Sequence, residues 1–248
     1  MPDPQIERER DPAALARRAA HLIADAIALR PDAAIMVATG STPMATYAEL
    51  AEMRERGELD TSRVRAVQLD EYLGLTGDDD PRSLYGWMRR SFAEPLGIDD
   101  ARVLRLDVSG DAEAGCRAFD EAIDRAGGLD LAILGLGPNG HLGFNEPPSQ
   151  PDSPSRTIEL TPESLASNAP YWGGLEHTPR RAATAGMRVI MQARAVLLLV
   201  SGAHKREILS RTLDEEPTPD VPSSLLRLRD GVTVVCDRAS RAATEDSS

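Results

Sequence analysis

Two rhythms of apolar positions alternate along the chain. In PAALARRAAHLIADAIALR, residues 12–30, Leu15, Ala19, Leu22, Ile23, Ala26 and Ile27 fall at helical spacing on one face, with Asp11 as N-cap and Pro12 in the first turn. The next run, AAIMVA at 33–38, is continuously apolar, as expected of a strand covered on both faces of a parallel sheet. After the break TGSTP (39–43), helical spacing returns in PMATYAELAEMRERGEL. VRAVQL (64–69), VLRLDV (103–108), LDLAILGL (129–136), AVLLLVSG (195–202) and GVTVVCD (231–237) read as further strands. Helices are expected at 83–93, 111–126 and over HKREILSRTLDEE. Alternating strand and helix units of this length predict an α/β fold: a single domain over residues 1–248 with a mostly parallel, doubly wound, Rossmann-like sheet and helices on both faces. Residues 147–182, with PPSQPDSPS and YWGGLEHTPRR, have little periodicity and are expected to form a long surface excursion, a lid or insert.

Composition narrows the class of ligand. The 248 residues carry a net charge of −12, which disfavours nucleic acid and anionic membranes, and the arginines form no basic patch. Cys116 and Cys236 belong to no ligand pattern, and no apolar run reaches the roughly 18 to 20 residues of a membrane-spanning helix. The polar start MPDPQIERER lacks the apolar core of a secretory signal, so the expected location is cytoplasmic.

Candidate chemistry concentrates at strand ends. In a parallel sheet the carboxyl ends of the strands share one edge, so TGSTP (39–43), LDEYLGL (69–75), GLGPNGHLGFNEP (135–147) and SGAHK (201–205) are expected to converge there. Thr39, Gly40, Ser41 and Thr42 precede a helix, where backbone N–H groups and hydroxyls hold a phosphate; the GK[ST] ending of a nucleotide-binding loop is absent. An N-capping turn is the plainer reading of that segment. Lys205 at a helix start suits an anionic ligand or a solvated surface. Asp70 closes an apolar strand, where a carboxylate serves either as a base toward carbon beside a carbonyl or as a turn cap. His141, bracketed by Asn139 and Glu146, offers the side-chain type suited to acid–base work at physiological pH. The spacing of His141 and Glu146 is not that of HExxH, and GxSxG is missing, which argues against a metal site and a serine hydrolase.

Taken together, TGSTPMATY, LDEYLGL, GLGPNGHLGFNEP, SRT and SGAHK occur in an order that resembles the glucosamine-6-phosphate deaminase (isomerase) family, related to the 6-phosphogluconolactonases, over nearly the whole chain. The resemblance implies conversion of glucosamine 6-phosphate and water to fructose 6-phosphate and ammonia, without cofactor or metal. It implies that Asp70 moves the proton between C2 and C1, and that His141 assists ring opening with Glu146 and Asn139 beside it. Thr39, Gly40, Ser41, Thr42 and Lys205 would hold the phosphate. Three departures stand out. Asn139 takes a place where some members have Asp. Pro170, in SNAPYW, stands where the family commonly has a phosphate-binding arginine, for which Arg180 or Arg181 is the expected substitute. The SRT segment is shortened and the C-terminal tail is brief, which suggests a small, non-allosteric enzyme, a monomer or small homo-oligomer. The alternatives are a lactonase-like hydrolase using His141 on a lactone carbonyl, and a non-catalytic sugar-phosphate-binding protein.

Overall fold

In a computed structural model, residues 3–75 and 80–241 are described. The elements run β1 (Gln5–Glu9), α1 (Pro12–Leu29), β2 (Ala34–Val37), α2 (Ser41–Glu55), β3 (Arg65–Gln68), β4 (Asp70–Tyr72), α3 (Leu84–Met88), β5 (Val103–Leu104), α4 (Ala112–Arg125) and β6 (Leu131–Gly135), followed by β7 (Arg156–Glu159), α5 (Pro162–Asn168), β8 (Arg181–Thr184), α6 (Met187–Gln192), β9 (Ala195–Val200), α7 (Arg206–Asp214) and β10 (Val232–Asp237). Seven strands form one parallel sheet in the order β1-β10-β9-β6-β2-β3-β5. From β2 the chain winds outward through β3 to β5, returns to β6 on the other side of β2, and winds outward again. The reversal between β2 and β6 opens a crevice at their carboxyl ends, the usual ligand position in such sheets.

Strand alternation builds two cores. Ala34 and Met36 of β2, Ala132 and Leu134 of β6, and Leu198 of β9 face α4, α6 and α7 through Phe119, Met187, Ile190 and Leu209. Ile35, Val37, Leu131, Ile133 and Leu199 point the other way, toward Leu15, Ile23 and Ile27 of α1 and Tyr47 and Leu50 of α2. The central strands read as unbroken apolar runs because both faces are covered. The α/β class, the parallel sheet and the helices on both faces are thus as the periodicity predicts. Asp11 is the N-cap of α1, accepting from the Ala14 N–H at 2.7 Å.

Three elements depart from the sequence reading. QIERE, read as a polar start, is the edge strand β1, paired in parallel with β10 and clipped to α1 by the Glu7–Arg18 ion pair at 2.5 Å. VLRLDV contributes only Val103 and Leu104 to the ladder. The 147–182 segment is not structureless: it carries β7 and α5, and β7, β8 and β4 form a three-stranded antiparallel sheet with Asp70 opposite Thr184. Its own cluster of Tyr72, Leu84, Phe144, Leu160, Leu165 and Ala182 anchors it. The short C-terminal tail lies outside the described residues.

Candidate active site

A cleft of about 530 Å³ opens at the β2/β6 reversal. The four strand-end segments do converge on it: Thr39 to Pro43, Asp70 with Tyr72, Gly137 with His141, and Ser201 to Lys205 are all in its wall. Asp70 enters differently from the sequence reading, as the first residue of the small antiparallel sheet rather than the last of a parallel strand.

At one end of the cleft, Gly40 precedes α2 with φ +106°, a conformation that favours glycine. It turns the chain so that the first N–H groups of a 15-residue helix face the opening. Lys205 also lines the cleft, and among the described residues its ammonium has no hydrogen-bond or ion-pair partner. Burial lowers its pKa from the ordinary lysine value. A half-buried cation without a partner and a helix N-terminus opening into the same cleft suit an anionic ligand. No described lining residue is an arginine: Arg181 faces a separate cavity with Glu71 and Arg105, and Arg180 is in neither wall, so the expected arginine substitute is not in this cleft.

Asp70 is only 7 % exposed, and no described side chain or N–H donates to its carboxylate. Burial, and then the neighbouring Glu71 charge, raise its pKa to about 8. Glu71 points the other way and is fully engaged, accepting from the N–H groups of Tyr72, Leu84 and Tyr85 and the Ser83 hydroxyl at 2.8 to 3.0 Å. Adjacent carboxylates therefore have opposite surroundings. Glu71 locks α3 to β4, whereas Asp70 lines the cleft with no described donor to its carboxylate.

The loop after β6 holds His141 against the cleft. A Cβ at position 137 would lie 2.1 Å from Cδ2 and 2.2 Å from Nε2 of the imidazole, so only glycine lets the ring sit there. Asn139 and Glu146 do not line the cleft; they stand behind His141. The Asn139 side-chain amide donates to Glu146 Oε2 at 2.8 Å, while His141 Nδ1 lies 3.4 Å from the same oxygen. Burial pushes Glu146 up, but contacts with His141, Ser164 and Asn139 outweigh it and hold the carboxyl well below the usual range. Two further residues close the group, both from α5 and its cap: the Thr161 hydroxyl donates to Glu146 Oε2 at 3.2 Å, and Ser164 Oγ lies 3.1 Å from His141 Nδ1. Sequence reading passed over them because they lie in the segment read as irregular, although TPES has the form of an N-cap followed by proline. It also passed over the aromatic wall. Trp172 donates from Nε1 to the Tyr72 hydroxyl at 3.2 Å, and Trp87 meets Tyr171 edge-on at 5.3 Å.

A buried carboxylate without a donor, an imidazole backed by a carboxylate, and a partnerless ammonium in one cleft suit proton transfers on a small phosphorylated ligand. The family model described as glucosamine-6-phosphate isomerases/6-phosphogluconolactonase matches residues 7–235. The chain belongs to this family. Within it, the glucosamine-6-phosphate deaminase of Halothermothrix orenii is 39% identical over 225 residues, covering 90% of this chain and 93% of that protein. That of Corynebacterium aurimucosum is 40% identical over 215 residues, covering 86% and 84%. A solved structure described as a monomeric glucosamine-6-phosphate deaminase superposes with a TM-score of 0.92 at 33% identity, covering 95% of this chain and 98% of its own. The 6-phosphogluconolactonase from Trypanosoma cruzi has a TM-score of 0.77 at 22% identity, covering 96% of each chain, and shares the fold. Membership in the glucosamine-6-phosphate isomerase/6-phosphogluconolactonase family therefore rests on the whole chain, with the deaminases as the similar branch at the sequence level.

Proposed function

We propose that the protein converts glucosamine 6-phosphate and water to fructose 6-phosphate and ammonia. The observation that carries this reading is the unpaired Asp70 carboxylate, buried in the same cleft as His141 and Lys205. The phosphate sits at the N-terminus of α2, held by Thr39, Gly40, Ser41 and Thr42, with the Lys205 ammonium as its counter-charge. Binding this unreactive end positions the sugar carbons, which converts binding energy into orientation. His141 takes the proton from the anomeric hydroxyl and returns it to the ring oxygen, opening the ring. Glu146 supports the imidazolium formed in passing, and Asn139 keeps Glu146 in place. Asp70 then removes the proton from C2 of the open-chain amino sugar and delivers it to C1, through an enolamine. The resulting ketose imine takes up water and loses ammonia. The substrate is itself cationic at C2, and its ammonium favours the ionised form of Asp70 on binding.

Lactone hydrolysis needs the imidazole and the anion site but no carbon base, so it leaves the buried Asp70 without work. A sugar-phosphate sensor would need neither Asp70 nor His141. The location we propose is cytoplasmic; no helix among the described residues is long and apolar enough to cross a membrane. The deciding assay follows ammonia and fructose 6-phosphate from glucosamine 6-phosphate, with galactosamine 6-phosphate and 6-phosphogluconolactone in parallel. Turnover of glucosamine 6-phosphate is expected. Hydrolysis of the lactone alone, or binding without turnover, would overturn the assignment.

A further inference from the structure

The nearest polar neighbour of the His141 ring is not Glu146. Nδ1 lies 3.1 Å from Ser164 Oγ and 3.4 Å from Glu146 Oε2. Glu146 Oε2 is already occupied, with the Asn139 amide at 2.8 Å and the Thr161 hydroxyl at 3.2 Å. Thr161 has one hydroxyl proton and two oxygen partners at 3.2 Å, Glu146 Oε2 and Ser164 Oγ, and the charged acceptor is the stronger. The Ser164 hydroxyl is fully buried. That leaves the Ser164 oxygen lone pairs to receive a proton, and Nδ1 is the group within reach. Thr161 caps α5 by accepting the Ser164 N–H at 3.3 Å, so the position of the hydroxyl is set by the helix start.

We propose that Ser164 is a positioning residue for ring opening: its hydroxyl accepts the Nδ1 proton of His141, fixing the tautomer whose Nε2 is free to act in the cleft. Helix α5 of the small-sheet subdomain thereby completes the acid–base group of the β6 loop. Ser164 stands behind the imidazole, outside the cleft wall, and does not touch substrate. The inference rests on the role given to His141 above, but its principal readout does not require turnover.

The test uses the full chain with ¹⁵N-labelled histidine, the His141 signals being assigned by their loss in His141→Gln. Wild-type protein is expected to show Nδ1 protonated and Nε2 free near pH 8. Ser164→Ala should move His141 toward a mixture of tautomers and lower kcat about tenfold to a hundredfold, part of the roughly 10²–10⁴-fold that a positioned acid–base group contributes, with KM changed less than about twofold. Ser164→Cys fills the same space with a poor hydrogen-bonding group, so it should lose as much as alanine. A cysteine variant with wild-type kcat would mean that Ser164 only fills space and would overturn the proposal. An unchanged tautomer in Ser164→Ala would overturn it equally. If the tautomer shifts but the wild-type protein turns over no amino sugar, Ser164 keeps its positioning role and the functional assignment fails instead.

Discussion

Asp70 shows at the level of one residue how stability is given up for chemistry. Its pKa of about 8 lies well above the ordinary carboxylate value of 3.8, through burial and the Glu71 charge. Between those two values the folded chain holds a proton that the unfolded chain has released, so this group's contribution to stability falls as pH rises from about 4 to 8. Asp70→Asn removes that burden while keeping the shape. The expected result is loss of turnover with a Tm gain that is small at pH 4 and grows to its maximum by pH 8, at about 2–4 °C for each kcal/mol relieved. Calorimetry at the two pH values checks it; a Tm gain independent of pH would contradict the raised pKa. On the proposed mechanism the same shift governs activity, because Asp70 must be ionised in the free enzyme to accept the C2 proton. Accordingly kcat/KM should rise toward a limb near pH 8 and decline again below the ordinary lysine range, where the partly buried Lys205 loses its charge. Gly137 imposes a steric demand at the same scale. In Gly137→Ala the added methyl would meet Nε2 at 2.2 Å, and displacing the imidazole by about an ångström should lower kcat by about a hundredfold. Steady-state kinetics with near-constant KM would distinguish this from a loss of phosphate binding.

The elements that carry the chemistry differ in how visibly the sequence announces them. β2, β6 and β9 are short apolar runs with a glycine at the end or within three residues of it, and both periodicity and turn chemistry mark their ends, so Thr39–Thr42, His141 and Lys205 could be placed at one edge from pattern alone. β1 escapes because an exposed edge strand has no apolar face to alternate; its partner is more than 220 positions away in β10. β7 and β8 escape for a related reason. Each has four residues, β8 pairs on its other side with β4, which starts at Asp70, and the connecting chain is rich in proline and glycine. Only tertiary packing against Tyr72 and Phe144 selects that pairing, and no local signal encodes it. The consequence for the site is specific. His141 and Glu146 lie five positions apart and are legible as a pair, whereas Thr161 and Ser164, which complete their hydrogen bonding, arrive from the segment that periodicity leaves blank. The anion site at the start of α2 and α7 is likewise an arrangement of elements. Lys205→Ala should raise KM for the phosphorylated sugar about tenfold or more with kcat changed little, since a lost charge-assisted hydrogen bond is worth about 1.5–3 kcal/mol. An unchanged KM would remove Lys205 from the phosphate site.

At the scale of the whole molecule, the surface bears on assembly. The large apolar side chains exposed among the described residues are Ile6, Leu29, Tyr171, Leu175 and Leu228. They come from separate regions: β1, the end of α1, the cleft rim and the turn before β10. Only Tyr171 and Leu175 share a segment, beside the cleft. A stable interface between copies buries about 800 Å² on each partner around a contiguous apolar centre, and no such centre is built from these residues. The net charge of −12 adds repulsion between copies. Asp70, His141 and Lys205 come from the ends of different strands of one chain and meet in its cleft. We therefore expect a monomer of 26.7 kDa in solution, with a sigmoidicity-free dependence of rate on substrate. Light scattering coupled to size exclusion at micromolar protein and moderate salt checks the mass, and a saturation curve with a Hill coefficient near one checks the independence of the site. A dimer that dissociates with loss of activity would show instead that the cleft depends on a contact this surface does not advertise.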